Sequence, residues 1–333
     1  EWLLENNVKA ISLEKKMGMH GSPTAVIEYR QSRGWLVGDE NAGLHAMFTM
    51  MNNARLGVGI EGLSQSELAT QKALEFARNR KQGQAKIDNR KGVILDHPDV
   101  RRMLITMKSL TAAVRALCLD AALSLDLSKS NDKQLASKEN ARASFLIPIA
   151  KAFSTDIGCR VADIGIQVHG GLGYIESSGA AQLYRDARIT AIYEGTNGIQ
   201  AIDLVNRKLS DGGKAALEIL KEIEISEHQI ENKALLAPEK IQYIRLARKN
   251  LTDALTWMLR TQNINDRYAG ASQFLMAFGF MLGCHYHLKS VIVQPSTEKI
   301  EMTVFYLDNV LPELFSATRS ACCGADQLYS VPL

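Results

Sequence analysis

The sequence predicts a mainly α fold in three parts: a remnant of a β-domain over residues 1–38, a four-helix bundle over 39–209 and a further helical unit over 210–333. Three observations predict it. Short β-leaning pieces, VKAISL and TAVIEY, are confined to the first 38 residues, where Gly and Ser-Pro breaks separate them. From Leu44 onward apolar residues recur at helical spacing, and after the Ser210–Gly213 break that periodicity resumes. With 333 residues, 46% hydrophobic and 23% charged, the chain has material for about two globular units and is not a disordered polymer.

The elements follow in order. Two or three strands fit residues 1–38, too few for a stable sheet, so they belong to a larger sheet whose other members lie outside this chain. Leu44, Met47, Phe48 and Met51 open a helix that continues to about Arg80, with Gly57, Gly59 and Gly62 admitting a second backbone. A second helix starts at Pro98 behind Asp96 as a cap and carries Val100, Met103, Met107, Leu110, Val114, Leu117 and Ala121 on one face. The polar stretch Leu127–Asn140 reads as a connection. A third helix then places Ile149, Phe153, Ile157, Val161, Ile164 and Val168 on one side and ends at QVHGGLGY. A short helix near Ala180–Asp186 precedes a last bundle helix from Thr196 to Leu209, inward with Ile199, Ile202 and Val205. Residues 215–230, 238–260, 269–290 and 297–321 complete the last unit, which holds no recognisable chemistry.

Composition removes several function classes. Thirty-nine Lys and Arg against 36 Asp and Glu leave a net charge of +3 without a concentrated basic footprint for nucleic acid. No apolar run approaches the roughly 18 residues of a membrane span, and the opening residues form neither a signal peptide nor a transit pattern. Five cysteines with no Cys-x-x-Cys spacing suit a reduced compartment rather than a disulfide framework or zinc site. His285 and His287, two apart on a helix, point away from each other, so no metal site is expected.

The chemistry concentrates in a few motifs. Glu194 follows the apolar run Ile189–Tyr193; a carboxylate ahead of a helix is by default a dipole-complementing residue, but apolar neighbours would raise its pKa toward that of a general base. The helix start behind it offers N–H groups to an oxyanion or phosphate. Gly170, Gly171 and Gly173 can simply end a helix, or cradle a pyrophosphate on exposed amides. Preceded by a helix and not a strand, they are not a Rossmann fingerprint. Arg80 suits a helix C-terminus, His97 a cap. Arg55 stands in an apolar, Gly-rich helix and must face a ligand or a carboxylate.

Taken together, IYEGTNGIQ (192–200), QVHGGLGY (167–174), LYRDARI (183–189), FARNRKQG (76–83) and MMNNARLGVG (50–59), in that family's order and spacing, resemble the acyl-CoA dehydrogenases, most of all their long members with a C-terminal extension. The resemblance implies that the chain enters partway through the middle β-domain and is an incomplete portion that binds flavin poorly by itself. It implies FAD as cofactor and Glu194 as the base that removes the α-proton of an acyl-CoA thioester while the β-hydride passes to flavin N5. Tyr193 and Gly195 would line the thioester site, and Asn52 and Arg55 would contact the CoA portion. Arg80, Gln167 and Gly171, with the neighbouring Gly170, would grip the flavin of the neighbouring subunit, and Thr196 and Asn197 the protein's own. An electron-transfer flavoprotein would be the acceptor, the protein a homodimer or tetramer, and its place the bacterial cytoplasm or the mitochondrial matrix. Two departures stand out: the usual Arg-x-x-Phe-Gly is here Arg80-Lys81-Gln82-Gly83, and Gly198 replaces a common Gln. The competing readings are an acyl-CoA oxidase, a DNA-associated alkylation-response relative and an inactive helical scaffold. Acidic residues interleaved with the C-terminal basic ones weigh against the DNA-associated relative.

Overall fold

The computed structural model describes residues 6–85 and 92–332; within these, the side chains of His45, Phe48, Thr49 and Asn52 lie outside the description. Strands β1 (Val8–Leu13) and β2 (Ala25–Tyr29) pair antiparallel, with a bulge between Ala10 and Ser12, and residues 30–38 form no strand. The hairpin meets the helices where Met19 donates its N–H to Asp186 Oδ1 (2.6 Å) and Gly18 lies against the Arg185 backbone.

Eleven helices follow among the described residues: α1 (Gly43–Asn79), α2 (Pro98–Leu127), α3 (Lys133–His169), α4 (Ala180–Thr190), α5 (Asn197–Asp203), α6 (Lys214–Asn232), α7 (Pro238–Arg260), α8 (Ile264–Val293), α9 (Thr297–Asn309), α10 (Pro312–Ala321) and α11 (Asp326–Ser330). The mainly α expectation holds. The connection before α3 is shorter than its polarity suggested: Asp132 caps α3 by accepting from the amides of Gln134 and Leu135, so 133–140 are the solvent-facing first turns of a helix. At the start of α2 the cap position is occupied by His97, whose side chain makes no cap bond and instead joins its Nε2 to the Gln82 carbonyl (2.8 Å); Asp96 is buried in the preceding turn.

Helices α1 and α3 touch backbone to backbone. A Cβ on Gly59 would meet the Ala150 carbonyl oxygen at 2.9 Å, and one on Gly62 the Ser154 carbonyl oxygen at 2.5 Å. Gly57 faces open space, contrary to the expected three-glycine contact. This approach brings the 55–62 segment of α1 beside the 150–158 segment of α3.

The fourth wall of the bundle differs from expectation. The span Thr196–Leu209 is a seven-residue helix, α5, followed by a π turn over Leu204–Lys208. Ile199, expected inward, is half-exposed, while Gln200, Ala201, Leu204 and Val205 are buried. The hydrogen bonds of Asn197 and Gln200, described below, set the rotation of this short helix. The long fourth helix is α8, packed against α2, α3 and α5. Its Phe278 stands edge-on to Phe145 (5.1 Å between centroids), Phe280 stands edge-on to Phe153 (5.3 Å), and Gly279 leaves room for the Phe153 ring. Ser210–Gly213 is a turn where a boundary was expected, yet one apolar core runs across it. Arg142 of α3 reinforces the junction, reaching Asp120 of α2 (2.8 Å) and Glu222 of α6 (2.8 Å), while Tyr286 of α8 donates to Asp120 (2.7 Å). Burial alone would raise the Asp120 carboxyl, but Arg142 and Tyr286 hold it below the usual carboxylate range.

Candidate active site

The loop between α4 and α5 carries Glu194 and Gly195, two consecutive residues in the left-handed region (φ 55° and 85°). Glycine suits the second; the first is a conformation that a non-glycine residue rarely adopts without support from its surroundings. That support is a buried polar web. The Lys151 ammonium donates to the Gly195 carbonyl (2.9 Å) and to Asn197 Oδ1 (2.9 Å). Asn197 Nδ2 reaches Asp156 Oδ1 (2.7 Å), Thr155 Oγ1 (3.0 Å) and the Ala152 carbonyl (3.2 Å). Gln200 Nε2 donates to the carbonyls of Glu194 (3.2 Å) and Gly195 (3.3 Å). From α1, buried Arg55 pairs with buried Asp203 (3.3 Å), and a Cβ on Gly195 would lie 3.9 Å from its Nη2. The carboxylate expected opposite Arg55 is therefore present, and Asp203 also draws Arg207 (3.2 Å).

Glu194 itself is half-buried, not enclosed in an apolar pocket, and among the described residues neither its carboxylate nor its backbone N–H takes a hydrogen bond. The amides expected to serve an anion at the start of α5 are partly engaged: Asn197 N–H bonds the Ala191 carbonyl (3.1 Å), and Ile199 N–H bonds Thr196 Oγ1 (3.4 Å). Tyr193 donates its phenol to Glu61, and burial together with that carboxylate pushes the phenol's pKa up.

Arg80, Gly170 and Gly171 gather elsewhere, in a cleft of about 660 Å³ lined also by Phe76, His97 and His169. Gly170 is left-handed (φ 58°), and a Cβ on Gly170 or Gly171 would enter open space. His169 is buried, stacked on Phe76 (4.5 Å) and bonded through Nδ1 to the Gly165 carbonyl (2.7 Å). Gln167 is exposed one turn away on α3, and Asn52 lies on α1 with its side chain outside the described residues. The two groups of predicted residues are therefore not brought together within one chain. Arg55 and Arg80 are 25 positions apart along α1, roughly 37 Å of helical rise.

Sequence reasoning missed Lys151, His169 and Phe76. For Lys151 a signal existed: a single cation in the run FLIPIAKAF, where a solvated Lys is out of place.

The model of the acyl-CoA dehydrogenase C-terminal domain matches residues 41–209, and the chain belongs to the acyl-CoA dehydrogenase family. It is 42% identical over 279 residues to the 3-methylmercaptopropionyl-CoA dehydrogenase of Ruegeria pomeroyi, an alignment covering 82% of this chain and 47% of that protein. Among solved structures, Caenorhabditis elegans ACDH-11 in complex with C11-CoA superposes with a TM-score of 0.76 at 21% identity, covering 92% of this chain and 51% of that one. An acyl-CoA dehydrogenase complexed with FAD from Bacillus anthracis gives 0.71 at 17% identity, covering 97% and 58%. At those identities the structural likeness concerns the fold. The chain spans about half the length of the relatives it matches.

Proposed function

We propose that this chain supplies the base-bearing half of an FAD-dependent acyl-CoA dehydrogenase, which converts an acyl-CoA thioester to the trans-2-enoyl-CoA. The observation that carries the reading is the Glu194–Gly195 turn: a half-buried carboxylate without a hydrogen-bond partner among the described residues, presented by two left-handed residues whose carbonyls are tied down from behind. A carboxylate left unpaired on a braced turn is suited to accept a proton. The unbonded N–H of Glu194 is suited to polarise a thioester carbonyl, which makes the α-proton acidic enough for a carboxylate base.

The residues also suit a flavin. Gly170 and Gly171 leave open space above their backbones beside the exposed Arg80 guanidinium, a donor set fitted to a pyrophosphate. Bound FAD supplies the hydride acceptor. In this reading Thr196 faces the chain's own flavin, while Asn197, expected beside it, turns its side chain inward to Lys151 and Asp156 and serves that site by fixing the start of α5. Arg80, Gln167, Gly170 and Gly171 face the flavin of a neighbouring subunit, and the separation of the two groups along α1 supports a dimer or tetramer. Tyr193 and Gly195 line the thioester site. Asn52 and Arg55 mark the side of the CoA portion, where Arg55, held to Asp203, braces the turn from α1. An electron-transfer flavoprotein takes the electrons onward, and no helix among the described residues is long and apolar enough to cross a membrane.

The test is Glu194→Gln in the FAD-loaded complete protein. The variant should retain acyl-CoA binding and lose flavin bleaching by about 10³-fold, the middle of the range a general base contributes. Turnover near the parent's would remove Glu194 from the role.

A further inference from the structure

The mechanism above leaves one buried cation unused. Lys151 sits in the middle of α3 with its side chain fully buried, and its ammonium donates to the Gly195 carbonyl and Asn197 Oδ1, both at 2.9 Å. A buried ammonium is expensive to desolvate and persists only where its hydrogen bonds are satisfied. Here it joins the second left-handed residue of the turn to the first residue of α5.

We propose that Lys151 is a positioning residue for Glu194: its ammonium, by holding the Gly195 carbonyl and Asn197 at once, fixes the turn in the conformation that aims the Glu194 carboxylate and N–H. This inference rests on the dehydrogenase reading for its catalytic consequence, but not for the tether itself.

The geometry explains why a cation is needed there. Gln200 already donates to the carbonyls of Glu194 and Gly195, yet at 3.2 and 3.3 Å these are long neutral bonds. The two Lys151 bonds are shorter and charge-assisted, a class roughly twice as strong. Asn197 cannot substitute, because its amide nitrogen is engaged with Asp156, Thr155 and Ala152 and its oxygen accepts from Lys151. The charged groups facing Lys151 are Asp156 on its own helix, Arg55 and Glu61 from α1, and Glu194 from the loop; Asp203 of α5 neutralises Arg55, and Arg188 of α4 acts on Asp156. Burial, with Arg55 adding to it, lowers the Lys151 ammonium to about 8 despite the three carboxylates. The tether therefore loses its charge just above neutrality.

Hydrogen exchange on the 333-residue chain tests this without flavin or substrate. The hydrogen-bonded amides of Asn197 and Gln200 report the turn. In Lys151→Met they should exchange at least about tenfold faster while the centres of α2 and α3 keep their protection. In the parent, after correction for base-catalysed chemistry, the same amides should lose protection between pH 7 and 9.5 with a midpoint near the lysine's. This second arm decides the matter if the Met variant does not fold. Unchanged protection at Asn197 and Gln200 in both arms overturns the tether. In the complete FAD-loaded enzyme, Lys151→Met should lower kcat about 10²-fold with the acyl-CoA KM within about threefold. A loosened turn with unaltered kcat overturns the catalytic consequence. Absence of dehydrogenation by the loaded parent overturns the dehydrogenase reading and leaves the exchange result to decide Lys151.

Discussion

Two stations on the α1–α3 pair, the Glu194 turn at the middle of α3 and the glycine turn at its end, are built on opposite plans. At the Glu194 end the carbonyls of the turn and the side chain of Asn197 are bonded by their own chain: Lys151, Asn197 and Gln200 leave the loop few ways to move. At the glycine-turn end, Arg80 is exposed, Gly170 and Gly171 face open space, and His169 and Phe76 are stacked beneath them. The difference teaches that a helix pair can hold a braced carboxylate turn and an open glycine cleft apart by its own length; in the proposed dehydrogenase, completing either takes a second copy.

That contrast can be broken at its shared axis. Gly62→Ala places a methyl group 2.5 Å from the Ser154 carbonyl oxygen, where the contacting atom is backbone and cannot swing away. It should cost roughly 3 kcal/mol in chemical denaturation and disturb both ends together. A loss below about 0.5 kcal/mol would mean that the helices are not in backbone contact.

Arg80→Gln tests the open end alone. Flavin affinity of the complete protein, measured by fluorescence, should fall roughly 10–100-fold, the worth of one charge-assisted contact, with the protection of Asn197 and Gln200 unchanged. Equal flavin affinity would detach Arg80 from the cofactor.

A pH series sharpens the closed end. The folded Lys151 ammonium at about 8 lies below its ordinary 10.5, so between those values the unfolded chain holds the additional proton and the contribution of this group to stability rises with pH. The parent should gain on Lys151→Met by about 1 kcal/mol per pH unit across that window while its turn loosens, a divergence that a residue serving stability alone would not produce. Parallel curves would refute the shift. The smallest expected effect is Gly195→Ala: a left-handed φ of 85° and a Cβ 2.9 Å from the movable Gln200 Nε2 should cost about 1 kcal/mol and, at the open end, nothing.

Much of this architecture could be read in advance because it rests on local rules. Pro98 starts α2, the glycines after His169 end α3, and Glu194–Gly195 sits in the loop where the motif placed it. What escaped was set by tertiary context. Ile199 was assigned inward by periodicity, but in so short a helix the hydrogen bonds of Gln200 and Asn197 choose the rotation, and a polar Gln is buried while an Ile faces out. Lys151 escaped because α3 is buried on several sides near Phe145–Thr155, and a reading that seeks one apolar stripe passes over the side carrying the cation. For the same reason residues 269–290, expected only as a helix of the last unit, form α8, which is apolar around most of its circumference and packs against α2, α3 and α5 of the bundle.

The placement of α8 also imposes an order of events on synthesis. The seam formed by Phe145, Phe153 and their neighbours on α2 and α3 receives its cover from residues 264–293, more than 100 positions later in the chain. At about 5–20 residues per second, a nascent chain exposes that greasy furrow for several seconds before the covering segment leaves the ribosome. During that interval the furrow is exposed to aggregation, a hazard set by the order of the chain and separate from the stability of the finished product.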